Sequence, residues 1–280
     1  MEIFEKYNKA LELFNSENIP HATALVLEIE AELLTLSDPL LHLQIQSNLG
    51  GLMIDLGKYT HDKELITRGK NYVEELVSQK SEDRVSVAEN YNLANGYTAL
   101  WNLESGAFLK GGKIGENFSN AEKYYRIALD IAKKSKETID PQLLAQINTN
   151  LGNCLRGIGR FVEAFHFYDE ALKFNKLQGE AIGNKAITLR YLSPYAVGYR
   201  HLFLLESQRL LKESLATSMP DDNRRAFQRE QEKLMELIQQ HGKITPETYK
   251  SSEVKSNFHQ FSRDFCIQHQ LYLGSVKIQL

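Results

Sequence analysis

Few residues of this 280-residue chain have types and spacing that suit chemistry. Arg263 and His269 stand with five residues between them. A guanidinium that grips phosphate beside an imidazole that takes the 2′-OH proton is one way to let that oxygen attack the phosphate and cut RNA. The same spacing recurs at Arg160 and His166, inside a segment that reads as packed helix, so spacing alone assigns nothing. No catalytic residue is assigned on this reading, and Arg263 and His269 are the candidates it leaves. His259, Cys266 and His269 supply three metal donors without a fourth at helical spacing, and no metal site is expected. Gly111-Gly112-Lys113-Ile114-Gly115 is glycine-rich like a phosphate loop, yet it lacks the Gly-Lys-Ser/Thr ending and a preceding strand. No cofactor is expected either. Cys154 and Cys266 are far apart and have no CxxC spacing, which fits a reducing cytoplasm better than a disulfide framework.

A different set of residues recurs. Asn48, Asn92, Asn150 and Asn184 each stand two positions before a small residue, Gly50, Ala94, Gly152 and Ala186. Asn95 and Asn153 lie three residues further along the same helical face in two of these places. A carboxamide both donates and accepts, so a row of them suits a polypeptide backbone better than a reacting bond.

The elements that carry them are helices. Pro20, Pro39, Pro141, Pro194, Pro220 and Pro246 each precede a run with helical apolar spacing, where a missing N–H costs nothing. Asp38, Asp140, Ser193 and Thr245 stand where N-caps belong. Only Ser275–Leu280 alternates as a strand would. With 42% hydrophobic and 25% charged residues the chain has the composition of an ordered globular protein. A net charge of -3 argues against bulk electrostatic binding to nucleic acid or anionic membrane. No apolar run approaches the ~20 residues a membrane span needs, and the N-terminus has no secretory h-region.

The helices come in pairs with a period. Leu151-Gly152, Leu155, Ala164, Tyr168 and Ala171 resemble the tetratricopeptide repeat (TPR), whose unit is about 34 residues. The place of the TPR tryptophan is Asn148 here. One period on, Ala186 matches Gly152, and Gly198, Leu202 and Leu205 are expected on the second helix. One period back, Ala94 and Tyr97 pair with Ala121, Tyr125 and Ala128; earlier, Gly50 and Met53 pair with Gly69, Val73 and Leu76. A first pair fits 2–16 and 20–36. The resemblance implies an all-α, right-handed TPR superhelix of about five helix pairs over 1–205, with insertions near 58–65 and 103–120. A C-terminal helical cap and connector over 206–280 would include a charged helix, Asp221–His241, with Phe227, Leu234, Met235 and Ile238 as its apolar face.

In TPR proteins the asparagine place points into a concave groove. The resemblance therefore implies a protein or peptide partner held by Asn48, Asn92, Asn95, Asn150, Asn153 and Asn184, with Arg156, Lys185, Arg190 and Tyr97 at the rim. A basic rim would favour an acidic or C-terminal carboxylate partner. Residues 146–273 also resemble the repeat half of a bacterial TPR–HEPN family, whose HEPN domains are RNases of toxin and antiphage systems. In that family the catalytic Arg…His motif lies downstream of the connector, so Arg263 and His269 do not occupy it, and the HEPN helices are expected to be lacking. The expectation is a cytoplasmic binding scaffold and not an enzyme. Its alternatives are an RNase, whole or split, and a peptide-sensing TPR regulator. Homo-oligomerisation is left open.

Overall fold

The computed structural model describes residues 2–80, 85–108, 115–135, 138–195 and 200–240. Among these the chain is all helix and turn, with eleven α-helices. They are α1 (Ile3–Asn15), α2 (Ile19–Leu33), α3 (Pro39–Thr60), α4 (Lys63–Gln79), α5 (Val87–Phe108) and α6 (Glu116–Lys134). Then come α7 (Pro141–Gly157), α8 (Phe161–Phe174), α9 (Gly179–Leu192), α10 (Arg200–Leu215) and α11 (Asp221–Gln240). The chain divides into two compact units, Met1–Ile139 and Asp140–Leu280.

Local chemistry sets the helix starts. The Asp38 carboxylate accepts from the backbone N–H of Leu40 and Leu41 at 3.0 and 3.2 Å, and Asp140 accepts from Gln142 at 2.9 Å. Each caps a helix whose first residue is proline, as the sequence led one to expect. Ser86 and Glu89 form a reciprocal capping box ahead of α5. Ser193 does not cap a helix start. Its hydroxyl donates to the Arg190 carbonyl at 2.8 Å and closes α9, and Pro194 falls in the short 3-10 turn Ser193–Tyr195. Pro246, Thr245 and the strand-like 275–280 lie outside the described residues.

Helix pairs α1/α2, α3/α4 and α5/α6 build the first unit, and α7/α8 and α9/α10 the second. Within each unit the pairs bury apolar side chains at roughly 1.5–3 kcal/mol each. Ala10, Val26, Leu33, Leu49 and Met53 belong to one such core, and Ile182, Leu189, Phe203, Leu211 and Leu234 to another. Two glycines let α3 and α4 touch backbone to backbone. A Cβ on Gly50 would stand 2.8 Å from the Gly69 carbonyl oxygen, and one on Gly69 2.6 Å from that of Gly50. The extra residues near 58–65 form helix: α3 runs on to Thr60, and only His61, in the left-handed region at φ 56°, and Asp62 precede α4. The glycine-rich segment is likewise flanked by helix up to Phe108 and from Glu116, and 109–114 lie outside the described residues.

Leu202 and Leu205 fall on α10. Ala186 also meets α10 at Ser207, whose hydroxyl donates to its carbonyl at 2.7 Å. The connection between α9 and α10 is longer than the repeat period allows, and Gly198 within it lies outside the described residues. A boundary at 205 falls inside α10, which runs unbroken from Arg200 to Leu215. The last helix, α11, touches both α9 and α10, just as α9 touches α7 and α8. It therefore takes the place that the first helix of a further pair would have.

Candidate binding face

Helix α9 presents two stripes. Ile182, Ala186 and Leu189 are buried in the core that it shares with α10. Glu180, Gly183, Asn184, Ile187 and Tyr191, spaced for one face, turn toward α11. Gly183 is what lets α11 settle there. A Cβ at that position would lie 2.5 Å from the Phe227 ring. Polar contacts fasten α11 along its length. Arg224 donates to the Leu215 and Thr217 carbonyls at 2.8 and 3.0 Å, capping the end of α10. Asn223 donates to Glu180, and Arg190 pairs with Glu230 at 2.6 Å.

Between α7, α9 and α11 a cavity of about 440 Å³ remains. Asn153 and Arg156 line it from α7, and Glu180, Asn184, Ile187 and Tyr191 from α9. Asn223, Ala226, Phe227, Arg229, Glu230 and Lys233 line it from α11. On its aromatic wall Tyr191 stacks on Phe161 at 6.1 Å, and the Arg190 guanidinium lies 4.5 Å from the Tyr191 ring centre.

The hydrogen-bond state of the two asparagines decides what the cavity can do. Asn153 accepts from the Tyr168 hydroxyl at 2.9 Å, which commits its oxygen and leaves its Nδ2 to donate. Tyr168 is itself fully buried against Gly152, and burial pushes its phenol up to about 12, so it stays a neutral donor. Asn184 is 9% exposed, and its carboxamide makes no hydrogen bond among the described residues. Its polar atoms keep contact with solvent in the cavity, open to a partner. Arg156 has a buried Nε with no acceptor. Burial alone would raise the Glu230 carboxyl, but Lys233 and Arg190 prevail and hold it below the usual carboxylate range.

Three of the sequence candidates, Asn153, Arg156 and Asn184, thus meet in one cavity. The others do not join it. Lys185 is one step, about 100°, round the helix from Asn184, and it turns to α8. There it pairs with Asp169, with its Nζ 4.4 Å from the Phe165 ring centre. Tyr97 belongs to the first unit. It donates to Glu74, stacks on Tyr124 at 5.8 Å and lies under Lys70, where burial and the Glu74 carboxylate raise its phenol. Asn95 accepts from Tyr125 at 2.6 Å, the same cross-helix bond that Asn153 makes. Asn92 lies over Gly51, its Nδ2 3.0 Å from where a Cβ would stand. Asn48 and Asn150 are half-buried on α3 and α7. Arg263 and His269 lie outside the described residues, as do His259 and Cys266. Cys154 is buried, and no cluster of metal donors occurs among the described residues.

The sequence reading missed the contribution of α11, and with it Arg229, Glu230 and Lys233. A signal was present in the stripe Asn223, Ala226, Phe227, Glu230, Lys233, which is spaced for one helix face.

No family model matches the sequence, and no curated protein matches it. Solved structures do resemble it in shape. A thermophilic TPR protein from Thermus thermophilus superposes with a TM-score of 0.55 at 14% identity, over 81% of this chain and 97% of its own. BtubC from P. vanneervenii follows at 0.41 and 14%, over 99% and 96%. The TPR2AB domain of yeast Sti1, solved as a pHSP90 complex, stands at 0.29 and 15%, over 83% and 84%. The first likeness establishes the fold as the all-α TPR type; the other two are too distant to argue from. No helix among the described residues is long and apolar enough to cross a membrane.

Proposed function

We propose that this chain, with the all-α fold of TPR proteins, is a protein-binding scaffold. It holds an extended peptide segment against the α7–α9–α11 face of its second unit. The observation that carries the reading is Asn184: nine-tenths buried, lining the cavity, its carboxamide unpaired among the described residues. A peptide backbone offers the donor and acceptor that this group lacks, and Asn153 adds a second donor on the neighbouring helix. The resemblance of 146–273 to the repeat half of TPR–HEPN proteins would make the partner a component of an RNA-cutting system. That part rests on the resemblance alone.

The test is selection from a phage-displayed library of random dodecapeptides on the full chain. Peptides are expected to enrich. The double variant Asn153→Ala/Asn184→Ala should lose them at least tenfold while keeping the helical circular dichroism of the parent. Binding that survives the double variant would overturn the assignment of this face.

A further inference from the structure

We propose that the α7–α9–α11 cavity selects an acidic peptide segment and that α11 supplies the selecting cation, Arg229, so that acid recognition exists only while α11 is seated. This rests on the peptide-binding reading above and names the ligand chemistry and the part of the fold that controls it.

The charges of the cavity divide into committed and available ones. Both carboxylates are already engaged: Glu180 accepts from Asn223, and Glu230 takes Arg190 at 2.6 Å and Lys233 at 2.8 Å. Glu230 is thereby answered by two cations, whereas Glu180, bonded to a neutral amide, keeps its charge. On the other side, Arg229 makes no hydrogen bond or ion pair among the described residues. Arg156, from α7, keeps a buried Nε without an acceptor. Cations therefore outnumber the carboxylates left to answer them. Asn153, its oxygen already accepting from Tyr168, adds an Nδ2 donor. A ligand carboxylate meets Arg229 as an ion pair and can accept from the Asn153 Nδ2, whereas a basic ligand would face Arg229 with like charge. Chain geometry then makes α11 indispensable. Arg229 and Lys233 reach the cavity only because Phe227 seats in the Gly183 notch and Leu234 is buried in the core of the second unit.

Three fluorescent decapeptides probe this by anisotropy with the full chain: alternating Glu-Ser and Lys-Ser, both with amidated C-termini, and Gln-Ser with a free one. The Glu-Ser peptide should bind at least tenfold more tightly than the other two. Arg229→Gln should bring that ratio close to one, while Arg225→Gln, on an exposed residue paired with Asp222 outside the cavity, should not. Leu234→Ala does not touch the cavity lining. It should raise amide exchange along α11 and abolish the preference together. If peptides bind without regard to charge, or if the preference survives Arg229→Gln or a loosened α11, this inference falls and the scaffold reading stands. Tighter binding of the Gln-Ser peptide would transfer selection to a chain terminus and overturn the acidic-segment assignment. If no peptide of any charge binds, in either this assay or the phage selection, the scaffold reading falls and takes the inference with it.

Discussion

Gly69 and Gly183 show what one hydrogen in place of a methyl does here. At Gly69 the nearest obstacle to a Cβ is a backbone oxygen 2.6 Å away, which no rotamer change can remove. At Gly183 it is the Phe227 ring at 2.5 Å, on a helix that can lift away. Overpacking of this kind costs about 1–3 kcal/mol. We expect Gly69→Ala to lower unfolding free energy toward the upper end of that range in urea titrations. Gly183→Ala should cost less in the global transition but expose α11 to amide exchange. Equal effects on both readouts would refute the distinction. At this scale the repeat period placed Asn153 and Asn184 at corresponding positions, and both line one cavity. Lys185 and Tyr97 turn instead to neighbouring helices. Their direction depends on partners in the neighbouring helix, Asp169 and Glu74, that sequence spacing does not reveal.

At the scale of the element, α11 is the helix whose role changes most between sequence and structure. Its apolar stripe was legible: Phe227 and Leu234 are buried as expected, while Met235 is 44% exposed. Its charges read as an ordinary solvated face. Only the seat against α9 turns Arg229 and Lys233 into cavity lining, and a tertiary contact of that kind leaves no periodic mark. The Arg190–Glu230 pair gives this seat a pH dependence. The folded state holds the Glu230 carboxyl below its ordinary value. Its contribution is therefore complete above the unfolded value of about 4.3 and is lost as pH falls through the lower folded value. Amide protection along α11 should drop on acidification below about pH 4, and Glu230→Gln should flatten that drop. A profile unchanged by the substitution would remove the ion pair from the account.

At the scale of the molecule, the sequence yielded the five helix pairs and the all-α class because both are written in local periodicity. It did not yield the division at 139/140, since the repeat pattern carries no mark there. Each unit has a buried core of its own. Residues 140–280 expressed alone should therefore melt cooperatively with strong helical circular dichroism. A fragment lacking a cooperative transition would show that the unit borrows its stability.

The Gly50–Gly69 contact has one more consequence, which concerns length. These glycines are seven residues further apart in the chain than Gly152 and Ala164. The extra residues fall unequally on the two arms: α3 runs ten residues past Gly50 where α7 runs five past Gly152, and α4 starts six residues before Gly69 where α8 starts three before Ala164. At a rise of about 1.5 Å per residue the first arm gains roughly 7 Å and the second roughly 4 Å. The α3/α4 hairpin therefore reaches further past its glycine contact, carrying an extra stretch of helix surface that the shorter hairpin lacks.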